Sequence, residues 1–354
     1  MEGYSEIAQT RRWSCSEDED GVSEIIGVVM LLAMVISILG VVVFALQPYV
    51  NDFDDNKNWS SARILTEQVQ ERISVVGSAP NGTGVAFTLP LVTSTLTGLG
   101  MVETWTIQAD ISGNDRIDIG LINATAFKLL SPNETVDKVV VIDNGLHQSF
   151  NITGLGSEHS IDTNQSFGDE LIIDAYDDAD NIVHRLVRFR LSGLRMDTSL
   201  NTGIHSAAMV NDGLFSRMPN EAWVIEKFPP LNAAETMSGR NRIGIVLSDI
   251  RASSSLPQGN SATLEIVSKG PITLFDGDAR NLRFTYDNQL HEIFNPQYME
   301  HWMGDHTVHL ATGDTTDYHG FAPWGRSSGI DGIGFFPADE TILLEIAIQR
   351  VEVS

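Results

Sequence analysis

Five histidines, His291, His301, His306, His309 and His319, fall within twenty-nine residues beside Asp305, Asp314 and Asp317. Imidazole and carboxylate groups together make a ligand set for zinc or another divalent ion. On a strand the odd separation of His306 and His309 sends them to opposite faces. Convergence of His301, His306, His309 and His319 on one ion therefore needs a helix or a loop. Otherwise they are surface histidines in a loop that also carries Trp302, Tyr318 and Trp324. The acidic turns "DAYDDADN" and "FDGDARN" offer oxygen ligands for calcium or are simply solvated, and neither follows EF-hand spacing. There is no H-E-x-x-H, no P-loop and no strand-linked G-x-G-x-x-G. No carboxylate pair can be singled out as acid and base. The expectation is a protein that is not an enzyme and carries no cofactor.

A second kind of chemistry is modification. N-x-S/T sequons stand at Asn58, Asn81, Asn123, Asn133, Asn151 and Asn164. Their clustering suits an exported, glycosylated surface, and chance occurrence accounts for part of the number. Composition narrows the partners. Against 47 acidic residues stand 22 Lys and Arg, giving a formal charge of −25, and such a surface repels phosphate backbones. Nucleic acid is excluded on that ground. Cys15 is the single cysteine, so an intramolecular disulfide and a cysteine-ligated metal cluster are excluded as well.

The elements that must position these groups begin with "EDEDGVSEIIGVVMLLAMVISILGVVVFALQP". From Ile25 to Leu46 no ionisable residue occurs. At about 1.5 Å per residue this run spans roughly 33 Å, enough for a bilayer core of about 30 Å. It is too long for an ordinary secretory signal and lacks a small-x-small cleavage site. Arg11 and Arg12 are the basic residues before it, while "NDFDDNK" follows, which sets the N-terminus in the cytoplasm and the rest outside. Ala33, Ser37 and Gly40, spaced four and three, put small residues along one helix face where another helix can approach; small residues are also common in membrane helices generally.

A hydrophilic leader ending in Gly21 and followed at once by "VSEIIGVVMLLAMV" resembles the class III signal peptide of archaeal type IV pilin-like proteins and archaellins. The resemblance covers Asp20 to Val50. It implies cleavage between Gly21 and Val22 by a prepilin-type peptidase, retention of the helix as anchor, and assembly with other pilin-like subunits. Cleavage would remove six acidic and two basic residues together with Cys15. Glu24 becomes the third mature residue, either an assembly carboxylate or one favoured by the helix dipole in the interface.

Past the run, Gln47–Pro48 is expected to end or kink the helix. A second, amphipathic helix over Ser60–Val76 follows from Leu65, Val69, Ile73 and Val76, capped by Ser60 or Ser61 and stopped by Gly77 and Pro80. From Gly84 the text turns to short β-rich runs, among them "MVETWTIQADI", "DKVVVIDNGLHQSFNI", "RIGIVLSDI" and "ETILLEIAIQRVEVS". In "HRLVRFRL", Val187, Phe189 and Leu191 are expected to face inward with Arg188 and Arg190 outward. A change of parity between Ile348 and Val351 suggests a bulge near Gln349 or Arg350. The stretch from Gly193 to Trp223 lacks a strand period and marks a soft boundary. The expected organisation is a leader over 1–21, a membrane helix over 22–50, a juxtamembrane amphipathic helix over 51–80, a β-rich domain over 81–195, and a second one, or its continuation, over 205–354. The fold class is α+β: one transmembrane helix, one short helix and a mainly antiparallel, sandwich-like β ectodomain. The expected role is a type IV pilin-like surface protein at the cell membrane, a minor or adhesive filament subunit. The alternative is a monomeric, single-pass receptor or binding module on the same anchor.

Overall fold

A computed structural model describes residues 16–91, 93–112, 116–133, 135–153, 156–227, 231–237, 240–253, 256–259, 261–290, 333–334 and 341–354. By contact density the chain divides into two compact units, Met1–Lys57 and Asn58–Ser354. The first described element is the helix α1, Ser16–Gly77. It continues through Pro48, so the helix does not end there, and Ser60 and Ser61 are interior helical residues rather than caps. Proline forfeits one backbone bond and crowds the preceding turn. In a helix of 62 residues that loss is a single step in a propagating ladder, and propagation on both sides outweighs it.

Within the second unit the helix buries one stripe. Ala62, Thr66, Val69, Ile73 and Val76 are all buried, at the three- and four-residue spacing of a single face. Each of the large apolar side chains among them contributes about 1.5–3 kcal/mol by leaving water. Gly77 ends the helix where it passes β17, described below: a Cβ at this position would lie 2.9 Å from Gln349 Oε1 and 3.2 Å from Val351 Cγ2. The stop expected at Gly77 is thus also a close approach.

Strands follow. They are β1 (Gly84–Leu89), β2 (Ser94–Asp110), β3 (Asp118–Leu121), β4 (Ala126–Leu130), β5 (Lys138–Asp143), β6 (Leu146–Asn151), β7 (Glu158–Asp162), β8 (Glu170–Tyr176) and β9 (Ile182–Leu200). After these come β10 (Gly203–Val210), β11 (Gly213–Arg217), β12 (Val224–Lys227), β13 (Leu231–Glu235), β14 (Asn241–Ala252), β15 (Ala262–Asn288), β16 (Ile333–Gly334) and β17 (Ile342–Val353). The chain therefore combines one long apolar N-terminal helix with a strand-rich remainder. Fourteen strands join in one hydrogen-bonded network whose main path runs β12-β11-β10-β9-β2-β15-β17-β14-β13. The series β8, β5, β6 branches from β9, and β3-β4-β7 form a separate sheet. Pairing is antiparallel except between β14 and β17, which are parallel. The β5–β6 hairpin turns on Asn144 and Gly145, both at positive φ (47° and 81°), the geometry that "NG" favours between strands.

Three buried clusters account for most of the core. The first joins Trp105 and Ile107 of β2, Val187, Phe189 and Leu191 of β9, and inward residues of β14, β15 and β17. The second seats the buried stripe of α1 against Met196, Met209, Leu264, Ile266, Val351 and Val353. The third lies between β3, β4, β5 and β8, around Phe127, Val139 and Ile173. These clusters explain the parity change in β17. Ile342 to Ile348 face the first cluster, and Val351 and Val353 face the second. Register between β17 and β14 is unbroken from Leu343 to Val353, so β17 carries no bulge against that neighbour. Against β17 the extra residues are on β15, one between Ser268 and Pro271 and one between Thr273 and Phe275.

Two further expectations are corrected. Arg188 is buried, not outward: its Nη2 donates to Gly168 O at 2.9 Å and its guanidinium lies 5.5 Å from the centre of the Phe167 ring. The stretch after Gly193, which lacks a strand period, forms the end of β9 and all of β10 and β11. Ala207, Ala208, Met209 and Val210 are buried in succession, so both faces of β10 are covered and no alternation is visible in the text.

Candidate functional site

The apolar run keeps its side chains uncovered. Every described residue from Glu24 to Val50 is exposed, and among the described residues this is the one helix long and apolar enough to cross a membrane. Gly21 and Val22 fall in the first turns of α1. Glu24 is exposed. Ser37 Oγ donates to Ala33 O at 2.7 Å, which satisfies the hydroxyl within the helix. Gly40 borders a shallow apolar depression with Ile36, Leu39, Val43 and Phe44, and nothing lies within 4 Å of where its Cβ would stand. Leaving such a surface in water is unfavourable by about 25 cal/mol for each Å² of apolar area.

The sequons separate into two kinds. Asn81, Asn123, Asn133, Asn151 and Asn164 are exposed, while Asn58 is partly covered and lies inside α1. Asn123 Oδ1 accepts from Thr125 N at 2.7 Å and Ala126 N at 2.8 Å, which leaves its amide nitrogen outside that turn. The histidine group, His291, His301, His306, His309 and His319, lies outside the described residues. In the acidic turn after β8, Asp177 Oδ1 accepts from Asn181 N at 2.7 Å and Ala179 N at 3.1 Å; Asn181's bonds hold its carboxyl below the ordinary carboxylate range. Among the described residues no group of three or more His, Cys, Asp or Glu is placed to hold a metal.

Two buried polar clusters were not anticipated. In one, Glu103 is fully buried and accepts from Trp105 Nε1, from Asn211 Nδ2 at 2.7 Å and from Asn288 Nδ2 at 3.1 Å. Asn211 Oδ1 in turn accepts from Ser248 N at 2.8 Å. Asn211 and Asp212 form the two-residue β10–β11 turn, both at positive φ (49° and 58°), and this hairpin tip is buried, not solvated. Gln70 of α1 donates to Asp212 O, and Ser248 Oγ donates to Asp212 Oδ2 at 3.1 Å, while Asp212 Oδ1 is buried without a hydrogen-bond partner. Burial raises the Asp212 carboxyl, with Ser248 and Lys227 opposing. One turn thus ties α1, β2, β14 and the end of β15 together. "NDG" between apolar runs is a hairpin signal that was there to be read.

In the other cluster, the His184 ring sits between Asp110 Oδ1, 2.7 Å from Nδ1, and Gln108 Oε1, 3.1 Å from Nε2. Gln108 is fixed by both backbone groups of Ile119. Arg283 pairs with Asp118 and donates to Ile117 O at 2.8 Å; burial pushes its guanidinium down to about 9, with Asp110 opposing. His184 and Asp110 have no access to solvent, so this group clamps β2, β9 and β15 rather than meeting a substrate.

The open site is a cleft of about 920 Å³, within the range of about 300–1,000 Å³ that ligands occupy. It lies at a β2 bulge, where Leu99 opposes Gly193 but Glu103 opposes Leu191, leaving two extra residues on β2. Met101 there has φ 50°, uncommon for a residue with a side chain, and its N donates to Ser192 Oγ at 3.3 Å. Asp169, Arg190 and Arg251 bring charge to the cleft. Arg251 is held by Asp249 at 2.6 Å and Glu170 at 2.9 Å, whereas Arg190 Nη1 stands 3.7 Å from Asp169 Oδ1, beyond a hydrogen bond. No protein-family model, curated protein or solved structure matches the chain.

Proposed function

We propose that the chain is a type IV pilin-like surface protein, processed between Gly21 and Val22 and held in the cell membrane by the helix that follows. The observation that carries the reading is the uncharged run Ile25–Leu46, whose side chains are all exposed. Its partners are membrane lipid, a prepilin-type peptidase and other pilin-like subunits that meet it along Ala33, Ser37 and Gly40. The N-terminus is cytoplasmic and the strand-rich unit extracellular, with the exposed sequons as glycan acceptors. In this reading the ectodomain is sandwich-like and adhesive rather than enzymatic, and the protein is a minor filament subunit. The cleft at the β2 bulge favours a second reading, a monomeric anchored binding module.

Protease added to intact cells tests the placement. Loss of the strand-rich unit with survival of a short membrane-embedded fragment is the expected result, and a fully protected chain contradicts it. Electron microscopy of purified surface material separates the readings: filaments containing the protein support the subunit, and dispersed particles support the monomeric module.

A further inference from the structure

The outer edge of β3 is closed by side chains instead of a strand. Ile122 N donates to Ala126 O at 2.9 Å, and along an antiparallel pair residues that bond the partner alternate with residues that direct both backbone groups away. Even-numbered residues of this stretch therefore bond β4, and Ile117 and Ile119, both buried, point their N–H and C=O outward. Gln108 of β2 takes both groups of Ile119: its Oε1 accepts from Ile119 N at 3.1 Å and its Nε2 donates to Ile119 O at 3.2 Å. Asp110 Oδ1 accepts from Ile117 N at 3.3 Å, and Arg283 Nη2 of β15 donates to Ile117 O at 2.8 Å. Among the described residues no strand pairs with this edge, so these side chains satisfy backbone groups that burial would otherwise leave unpaired.

The same contacts fix what stands on either side of the His184 ring. Because Gln108 Nε2 must donate to a carbonyl, Oε1 is the atom that faces His184 Nε2, and an amide oxygen only accepts. Asp110 is an acceptor too, since Ile117 N and Asn281 Nδ2 both donate to its carboxylate. Both ring nitrogens thus meet acceptors, at 2.7 and 3.1 Å, and only the doubly protonated ring donates from both. The ring is fully buried, so bulk water can replace neither bond. The charged groups about the pair are Arg283 and Arg116, which act on Asp110, Arg280, which stands opposite Asp110 in register, and Asp118, the partner of Arg283. From β8 the residue opposite His184 is the uncharged Ala175.

We propose that His184 is held as an imidazolium that locks Gln108 and Asp110 against β3, and that loss of its second proton unlatches this edge. A neutral ring sets one bare nitrogen against the Gln108 oxygen or the Asp110 carboxylate, an acceptor facing an acceptor. Gln108 must then turn away and give up Ile119, which opens a strand edge. The direction in pH follows from the proton count. Above about 6.5, the ordinary histidine value, the unfolded ring has released a proton that the folded one keeps, so stability falls as pH rises. The latch works on whichever side of a membrane the strand-rich unit lies.

The test uses the full chain in detergent micelles. Ring-nitrogen NMR at about pH 7.5 should show both nitrogens of His184 protonated, and one bare nitrogen overturns the proposal. From about pH 7 to 9 the unfolding constant of the wild type should rise, relative to that of His184→Gln, by up to about tenfold per pH unit, the linkage of one proton. Equal pH dependence of the two proteins overturns it. Amide hydrogen exchange, corrected for the intrinsic effect of pH, locates the latch in the unsubstituted chain. Over the same range the protection of Ile119 should drop about tenfold, while Gly120, which bonds β4, keeps its own. Loss of protection at both residues, or at neither, overturns the latch at this edge.

Discussion

Replacing Asp212 by Asn tests the buried turn that joins α1 to the strands. The carboxyl is buried, its Oδ1 has no hydrogen-bond partner, and burial raises it above the ordinary value of 3.8. Between the unfolded and folded values the native state holds a proton that the unfolded state has released. Stability therefore falls as pH rises through that window, and above it the charged carboxylate is a standing cost. Asn tolerates the positive φ of this position and can keep the Ser248 bond. The variant should be more stable than wild type at pH 7 by about 1–2 kcal/mol, the scale of an unsatisfied buried polar group. As pH falls toward about 4, where the unfolded carboxyl protonates, the two proteins should converge. Urea midpoints of the full chain in micelles, measured from pH 4 to 8, report this directly. Parallel curves across that range, or a variant less stable at pH 7, would refute the assignment of a desolvated carboxylate here.

Ile73→Ala, at a fully buried position on the α1 stripe, should lower stability by about 3 kcal/mol, whereas Val75→Ala on the exposed side of the same turn should change it by less than about 0.5 kcal/mol; thermal unfolding of both compares them. Glu103→Ala leaves the amides of Asn211 and Asn288 without their shared acceptor and should cost about 3 kcal/mol or more, read by the same assay. Glycopeptide mass spectrometry of native protein should find glycans among Asn81, Asn123, Asn133, Asn151 and Asn164 and none on helical, partly covered Asn58.

What could be read from the residues is what repeats with a short period. Alternation in Val139 and Val141, and again through Ile342, Leu344, Ile346 and Ile348, marks strands that bury one face, and these are strands. The run Ile25–Leu46 is readable for the same reason: its apolar character is unbroken. Local signals failed where a neighbour decides the outcome. Ala207 to Val210 are covered on both faces, so β10 has no period to detect. Pro48 is a strong breaker that a long helix absorbs. Arg188 looks like a solvated charge until Phe167 and the Gly168 carbonyl are placed beside it. β15 passes through Gly270, Pro271 and Gly277 as one strand because its partners change along its length. The cleft was least legible of all, since its lining joins residues far apart in the chain, from Leu96 to Gln258.

The central claim is that the apolar helix is a retained anchor released from its leader at Gly21. N-terminal sequencing of protein purified from its native membrane tests it most directly. The account predicts a chain beginning at Val22, with Glu24 third and Cys15 absent. An intact Met1, or a start beyond Leu46, would contradict it.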